Sequence, residues 1–125
     1  MSEVISATSF DQRFSSQNIF ENDMSTFWMT TGLYPQELVI DLKAPHNLNE
    51  LKLKSMRVKN IKIEACTDNS GSEFFEVGKK EMDNNSDSMQ TEKISLTGAN
   101  GIILLKIIIQ EGHDDFASIH YADLI

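Results

Sequence analysis

The chain has 125 residues, 40% of them hydrophobic and 24% charged, which is the make-up of an ordinary globular protein. That length predicts a single domain over 1–125, with enough apolar surface to fold without disulfides or metal. Nineteen acidic against eleven basic residues give a formal net charge of -8, so the protein's field repels phosphate backbones and anionic lipid, and neither nucleic acid nor membrane is an expected partner.

Taken in chain order, short runs with period two recur between clusters of Asn, Ser, Asp and Gly, and no sustained helical periodicity appears. Strands are predicted at residues 4–9, 26–31, 37–42, 51–53, 58–66, 73–77, 91–96, 101–110 and 116–124. In the third of these, Leu38, Ile40 and Leu42 share one face, opposite Glu37, Val39 and Asp41. In the fifth, Ile61, Ile63 and Ala65 oppose Lys62 and Glu64. Turns are expected at 68–71 and 97–101, and a polar excursion at 79–88. About nine short antiparallel strands point to an all-β fold, a β-sandwich or jelly roll.

Residues 102–109 stand apart because both alternating sets are apolar: Ile103, Leu105, Ile107 and Ile109 on one side, Ile102, Leu104 and Ile108 on the other. One side therefore needs extra cover. Either a loop of the same chain roofs a central strand, or the row is the docking face of a permanent partner, with Ile103, Leu105 and Ile107 in the contact.

Several chemistries fail on residue types alone. Cys66 is the only cysteine, which forbids an internal disulfide, excludes cysteine-rich zinc sites and fits a reducing compartment. The first ten residues lack the basic-then-apolar order of a secretory signal, and 102–109 is far too short to span a bilayer as a helix. The six glycines match neither phosphate-loop nor dinucleotide spacing, so no nucleotide site is expected in this chain. His46, His113 and His120 form no zinc-hydrolase pair, and no nucleophile elbow accompanies His113 and Asp114, which leaves His113 as a solvated loop residue. The stretch 83–88 begins like a calcium-binding EF-hand loop but has Ser88 where Gly is required. No catalytic residues are assigned, and the chain is not expected to be an enzyme.

Residues 18–28 concentrate side-chain oxygens just before the only tryptophan, Trp28. Asn18, Glu21, Asn22, Asp23 and Thr26 can offer carbonyl, carboxylate and hydroxyl oxygens to a hard cation such as calcium. They can equally satisfy the backbone of a tight loop through Asx-type hydrogen bonds. Residue types alone leave both readings open.

The segments Ala7-Thr8-Ser9, Asn18-Ile19, Thr26-Phe27-Trp28, Thr30-Thr31-Gly32, Pro35-Gln36-Glu37 and Phe116-Ala117-Ser118-Ile119-His120 together resemble the intraflagellar transport protein 25 family, nearly end to end. The resemblance implies a galactose-binding-like jelly roll of the discoidin type. It also implies a noncatalytic ciliary subunit of the transport B complex, in a heterodimer with a Rab-like small GTPase, intraflagellar transport protein 27. Such a subunit would work in the cilium and the cytoplasm. The family's calcium loop, carried over by position, uses Asn18 and Asp23 through carbonyls, Glu21 through its carboxylate and Thr26 through its hydroxyl or carbonyl. This sequence has Glu21-Asn22 where the family usually has Asp-Gly, and the longer side chain shifts the carboxylate. The small-heat-shock label attached to the family does not fit a jelly roll. The alternative function is a lectin-like carbohydrate-binding module, with a sugar held near Tyr34 and Phe116.

Overall fold

The strand with two apolar rows lies at the centre of the larger of two sheets. A computed structural model describes residues 3–7, 28–29, 34–68, 70–71, 73–82, 90–113 and 117–124. Among these, the strands are β1 (Glu3–Ala7), β2 (Trp28–Met29), β3 (Gln36–His46), β4 (Glu50–Met56), β5 (Val58–Cys66), β6 (Phe75–Glu81), β7 (Gln90–Ser95), β8 (Ile102–Gly112) and β9 (Ser118–Leu124). They form a five-stranded sheet, β1-β3-β8-β5-β6, and a four-stranded sheet, β2-β9-β4-β7, in which every pairing is antiparallel. No helix occurs among the described residues.

Alternation decides which side of each strand is buried. On β3, β8 and β5 the registered sets Ile40–Leu105–Ala65, Leu38–Ile107–Ile63 and Gln36–Ile109–Ile61 turn toward the second sheet. They meet Trp28, Leu51, Leu53, Ile94, Ile119 and Ala122 in one continuous core. Burying each such Leu or Ile contributes about 1.5–3 kcal/mol, and a chain of this size has no other large favourable term.

Departures from the expected strand limits have local causes. β3 runs on past residue 42 through a bulge, where Lys43 has φ 70 and its N–H donates to Asp41 Oδ1 at 2.8 Å. β6 continues to Glu81, into the stretch read as a polar excursion. As an edge strand with one side open to water, it needs only Val77 on the apolar side. Turn 97–101 uses Gly98 at φ 74 and Gly101 at φ 64, conformations that carry little penalty without a Cβ. It is pinned where the Leu48 N–H donates to the Ala99 carbonyl (2.8 Å) and the Gly101 N–H to Asn47 Oδ1 (2.9 Å).

The two sheets also meet along one margin. The Thr97 N–H donates to the Val77 carbonyl at 2.8 Å, and the Lys80 ammonium pairs with Glu92 at 2.9 Å, joining β6 to β7. Gly78 sits at the closest approach: a Cβ there would lie 2.9 Å from the Ser95 carbonyl oxygen and 3.0 Å from Leu96. Near the other end, Gly112 packs against the Tyr34 ring and the Arg57 carbonyl with no room for a side chain.

Two measurements follow from this packing. Leu105→Ala removes a fully buried side chain and is expected to lose about 2–5 kcal/mol in urea unfolding, because the two sheets cannot fully close the void. Gly112→Ala is expected to lose about 1–3 kcal/mol in the same assay, since the methyl drives out the Tyr34 ring.

Candidate functional site

The expected docking row is the part of the sequence reading that the structure corrects. Leu105 and Ile107 have 0% and 1% of their surface exposed and belong to the core between the sheets, so they cannot touch a partner. Ile103 is half-buried, beside the register shift that turns Ile102 into the core. The inward row of β8 is thus the odd-numbered one from Leu105 onward. The outer row is Leu104, Lys106 and Ile108.

On that outer side, Leu104 lies in register with Asp41 and Cys66, Lys106 with Val39 and Glu64, and Ile108 with Glu37 and Lys62. Leu104 is 3% exposed and Ile108 6%, in the protein by itself. The cover over Leu104 comes from the same chain, the connection between β5 and β6. A Cβ on Gly71 would lie 3.7 Å from a Leu104 methyl and 3.9 Å from the Phe74 ring. The Lys106 ammonium sits 4.1 Å from the centre of that ring, in cation–π range. The roofing explanation therefore holds at the Leu104 end of the strand.

This connection begins with a tight turn built on one carboxylate. Asp68 Oδ1 accepts from the Ser70 hydroxyl (2.5 Å), the Ser70 N–H (3.0 Å) and the Cys66 thiol (3.5 Å). Those donors hold the Asp68 carboxyl below the usual aspartate range, the Ser70 hydroxyl first among them. Cys66 is buried at 1% exposure beneath it.

Two of the three histidines, His113 and His120, serve packing. His113 is half-buried rather than solvated: its Nε2–H donates to the Met82 carbonyl at 2.9 Å, and its N–H donates to the Arg57 carbonyl at 2.8 Å. It thereby ties the end of β8 to the β4–β5 corner and to the end of β6. His120 is buried and shares a 3.0 Å hydrogen bond with Ser118. Asp114 and Asp115 lie outside the described residues, as does Phe116. Tyr34, near which the alternative reading placed a sugar, is half-buried, precedes a cis bond to Pro35 and packs on the core and against Gly112.

Asn18, Glu21, Asp23 and Thr26, the expected calcium ligands, lie outside the described residues. Among the described residues, no group of three or more His, Cys, Asp or Glu side chains could hold a metal ion. The same residues contain no helix long and apolar enough to cross a membrane. A feature that sequence reasoning missed is an open cleft of about 370 Å³ lined by Asn60, Ile61, Lys79, Lys80, Glu81 and Gln110. Its walls come from three strands far apart in sequence, and no local pattern announces them.

The F5/8 type C domain model matches residues 4–121. Intraflagellar transport protein 25 of Chlamydomonas reinhardtii is 29% identical over 124 residues, 98% of this chain and 64% of that protein. The Homo sapiens homolog is 34% identical over 119 residues, 95% of this chain and 82% of that protein. The chain thus spans less than two thirds of the algal relative. Among solved structures, the family 32 CBM from Clostridium perfringens NanJ, in complex with galactose, has a TM-score of 0.75 at 17% identity, covering 99% of this chain and 98% of that one. Chitosan-binding module 1 of a Paenibacillus chitosanase/glucanase has a TM-score of 0.82 at 15% identity, covering 100% and 93%. Those two likenesses show the jelly-roll fold. The match along nearly the whole chain shows more: the chain is an F5/8 type C domain and belongs to the intraflagellar transport protein 25 family.

Proposed function

We propose that this chain is a noncatalytic, protein-binding subunit of the intraflagellar transport B complex, working in the cilium or flagellum and the cytoplasm. It pairs with a Rab-like small GTPase, intraflagellar transport protein 27, which carries the nucleotide. The observation that carries this reading is the colinear match to the human relative, 34% identical over 95% of the chain. The expected contact row does not carry it, since Leu105 and Ile107 are core residues. The GTPase contact is therefore sought away from the inward face of β8.

Coexpression with the GTPase followed by gel filtration tests the pairing. The two chains are expected to elute together in equal amounts; elution of this chain at its own monomer volume, with the GTPase folded and present, overturns the reading.

Calcium at Asn18, Glu21, Asp23 and Thr26 belongs to the same proposal and rests on the sequence resemblance. Millimolar calcium is expected to raise the melting temperature of the full chain, and Glu21→Ala to weaken that rise. Absence of both a binding heat and a thermal shift would leave the loop to its Asx-type hydrogen bonds.

A second reading, a carbohydrate-binding module, draws on structural neighbours described in complex with galactose and with GalNAc-β-1,3-galactose. The packing of Tyr34 against the core weakens that reading at one of the two places where it put a sugar. A glycan array separates the two, with no signal expected for a transport subunit.

A further inference from the structure

On the outer side of the smaller sheet the local charge runs against the net charge of the chain. Alternation along β4, β7 and β9 turns Leu51, Leu53, Ile94 and Ala122 into the core. Two registered rows are left facing out, Lys93–Lys52–Asp123 and Thr91–Lys54–Tyr121. Three of the chain's eleven basic residues thus share one face of a protein whose net charge is -8. Other lysines have a carboxylate at hand: Lys43 has Asp41, Lys59 has Glu111, Lys62 has Glu64 and Lys80 has Glu92. Among the described residues, no such ion pair engages Lys52, Lys54 or Lys93, although Asp123 stands across from Lys52 and Glu50 lies two residues before it. The Lys54 ammonium lies 5.7 Å from the centre of the Tyr121 ring instead. Lys52 and Lys93 are direct cross-strand partners, an arrangement in which like charges oppose the pairing of the strands that carry them.

We propose that this face is a docking surface for an extended acidic segment of a partner protein, whose carboxylates are taken by Lys52, Lys54 and Lys93. Lys52 and Lys54 are two apart on one strand, about 6.5–7 Å along it, and alternate side chains of an extended segment have the same spacing. Lys93 lies to the side of Lys52 by one inter-strand distance, about 4.8 Å. A carboxylate set between Lys52 and Lys93 turns a repulsive pair into two attractive ones, so what weakens the free sheet strengthens the complex. Charge also selects the class of partner. A nucleic acid or an anionic bilayer meets the field of the whole acidic molecule, whereas a short acidic segment meets chiefly the three ammonium groups beside it. The face belongs to this domain and does not rest on the transport reading.

The test is a 1H–15N NMR titration of the full chain with an end-blocked octaglutamate peptide, at about 0.1 M salt, where charges more than about 10 Å apart are screened. Amide shifts are expected on β4, β7 and β9 around Lys52, Lys54 and Lys93, and are expected to shrink as salt is raised. Lys93→Glu is expected to weaken the peptide by at least about fivefold. The same variant is expected to keep or raise the melting temperature, because it sets a carboxylate opposite Lys52. Lys62→Glu makes the same change in net charge on the outward side of the other sheet, and is expected to alter affinity by less than about twofold. An unchanged spectrum at millimolar peptide overturns the proposal. So do shifts centred on other strands, and so does equal weakening by Lys62→Glu and Lys93→Glu, which would make the attraction a property of net charge. Binding to vesicles of phosphatidylserine and phosphatidylcholine, with no response to the peptide, overturns it in favour of a membrane.

Discussion

Everything in this domain depends on the burial of β8 between β3 and β5, with its odd-numbered row pressed against the opposite sheet. A strand in the middle of a sheet has both edges hydrogen-bonded, so its side chains face two environments and nothing else. Leu105, Ile107 and Ile109 supply one of these, meeting Leu51, Leu53, Ile94, Ile119 and Trp28 across the sandwich. The other, Leu104 and Ile108, faces the outer side, where the β5–β6 connection and charged neighbours cover it. Hydrophobic burial scales with area removed from water, and β8 removes apolar area on both sides.

Much of the architecture was legible because a half-buried strand leaves a period-two trace. Leu38 and Ile40, and Ile61 with Ile63, announced both their strands and the sides they bury. β8 defeated the same logic for a physical reason: when both rows are Ile and Leu, alternation says that two faces exist but not which one meets the other sheet. Choosing Ile103, Leu105 and Ile107 as the outer row came from that degeneracy. The roof was hidden because Gly71 and Phe74 sit in a polar stretch, and only their distance to Leu104 and Lys106 shows what they cover. His113 was misread as solvated since its partner, the Met82 carbonyl, is thirty-one positions away and is a backbone atom that carries no sequence signal.

The family relationship and the fold answer different questions. The jelly roll is shared with modules described in complex with galactose, at identities of 17–19%, and a shape kept at that distance says little about ligand. The relationship to intraflagellar transport protein 25 runs along nearly the whole chain and shows the family. Tyr34, near which the carbohydrate reading placed a sugar, is consumed by packing against Gly112 and the core.

The junction of β6 with β7 bears on how such a domain avoids pairing with stray strands. Sheet margins ordinarily advertise unpaired amides and carbonyls, an invitation to stray polypeptide that ends in fibrils or swapped dimers. Here the Val77 carbonyl is already engaged by Thr97, Gly78 has surrendered its side chain to closeness, and Lys80 is tethered to Glu92. Two vulnerable borders guard each other, and the molecule gains colloidal good behaviour from a contact that adds little to its core.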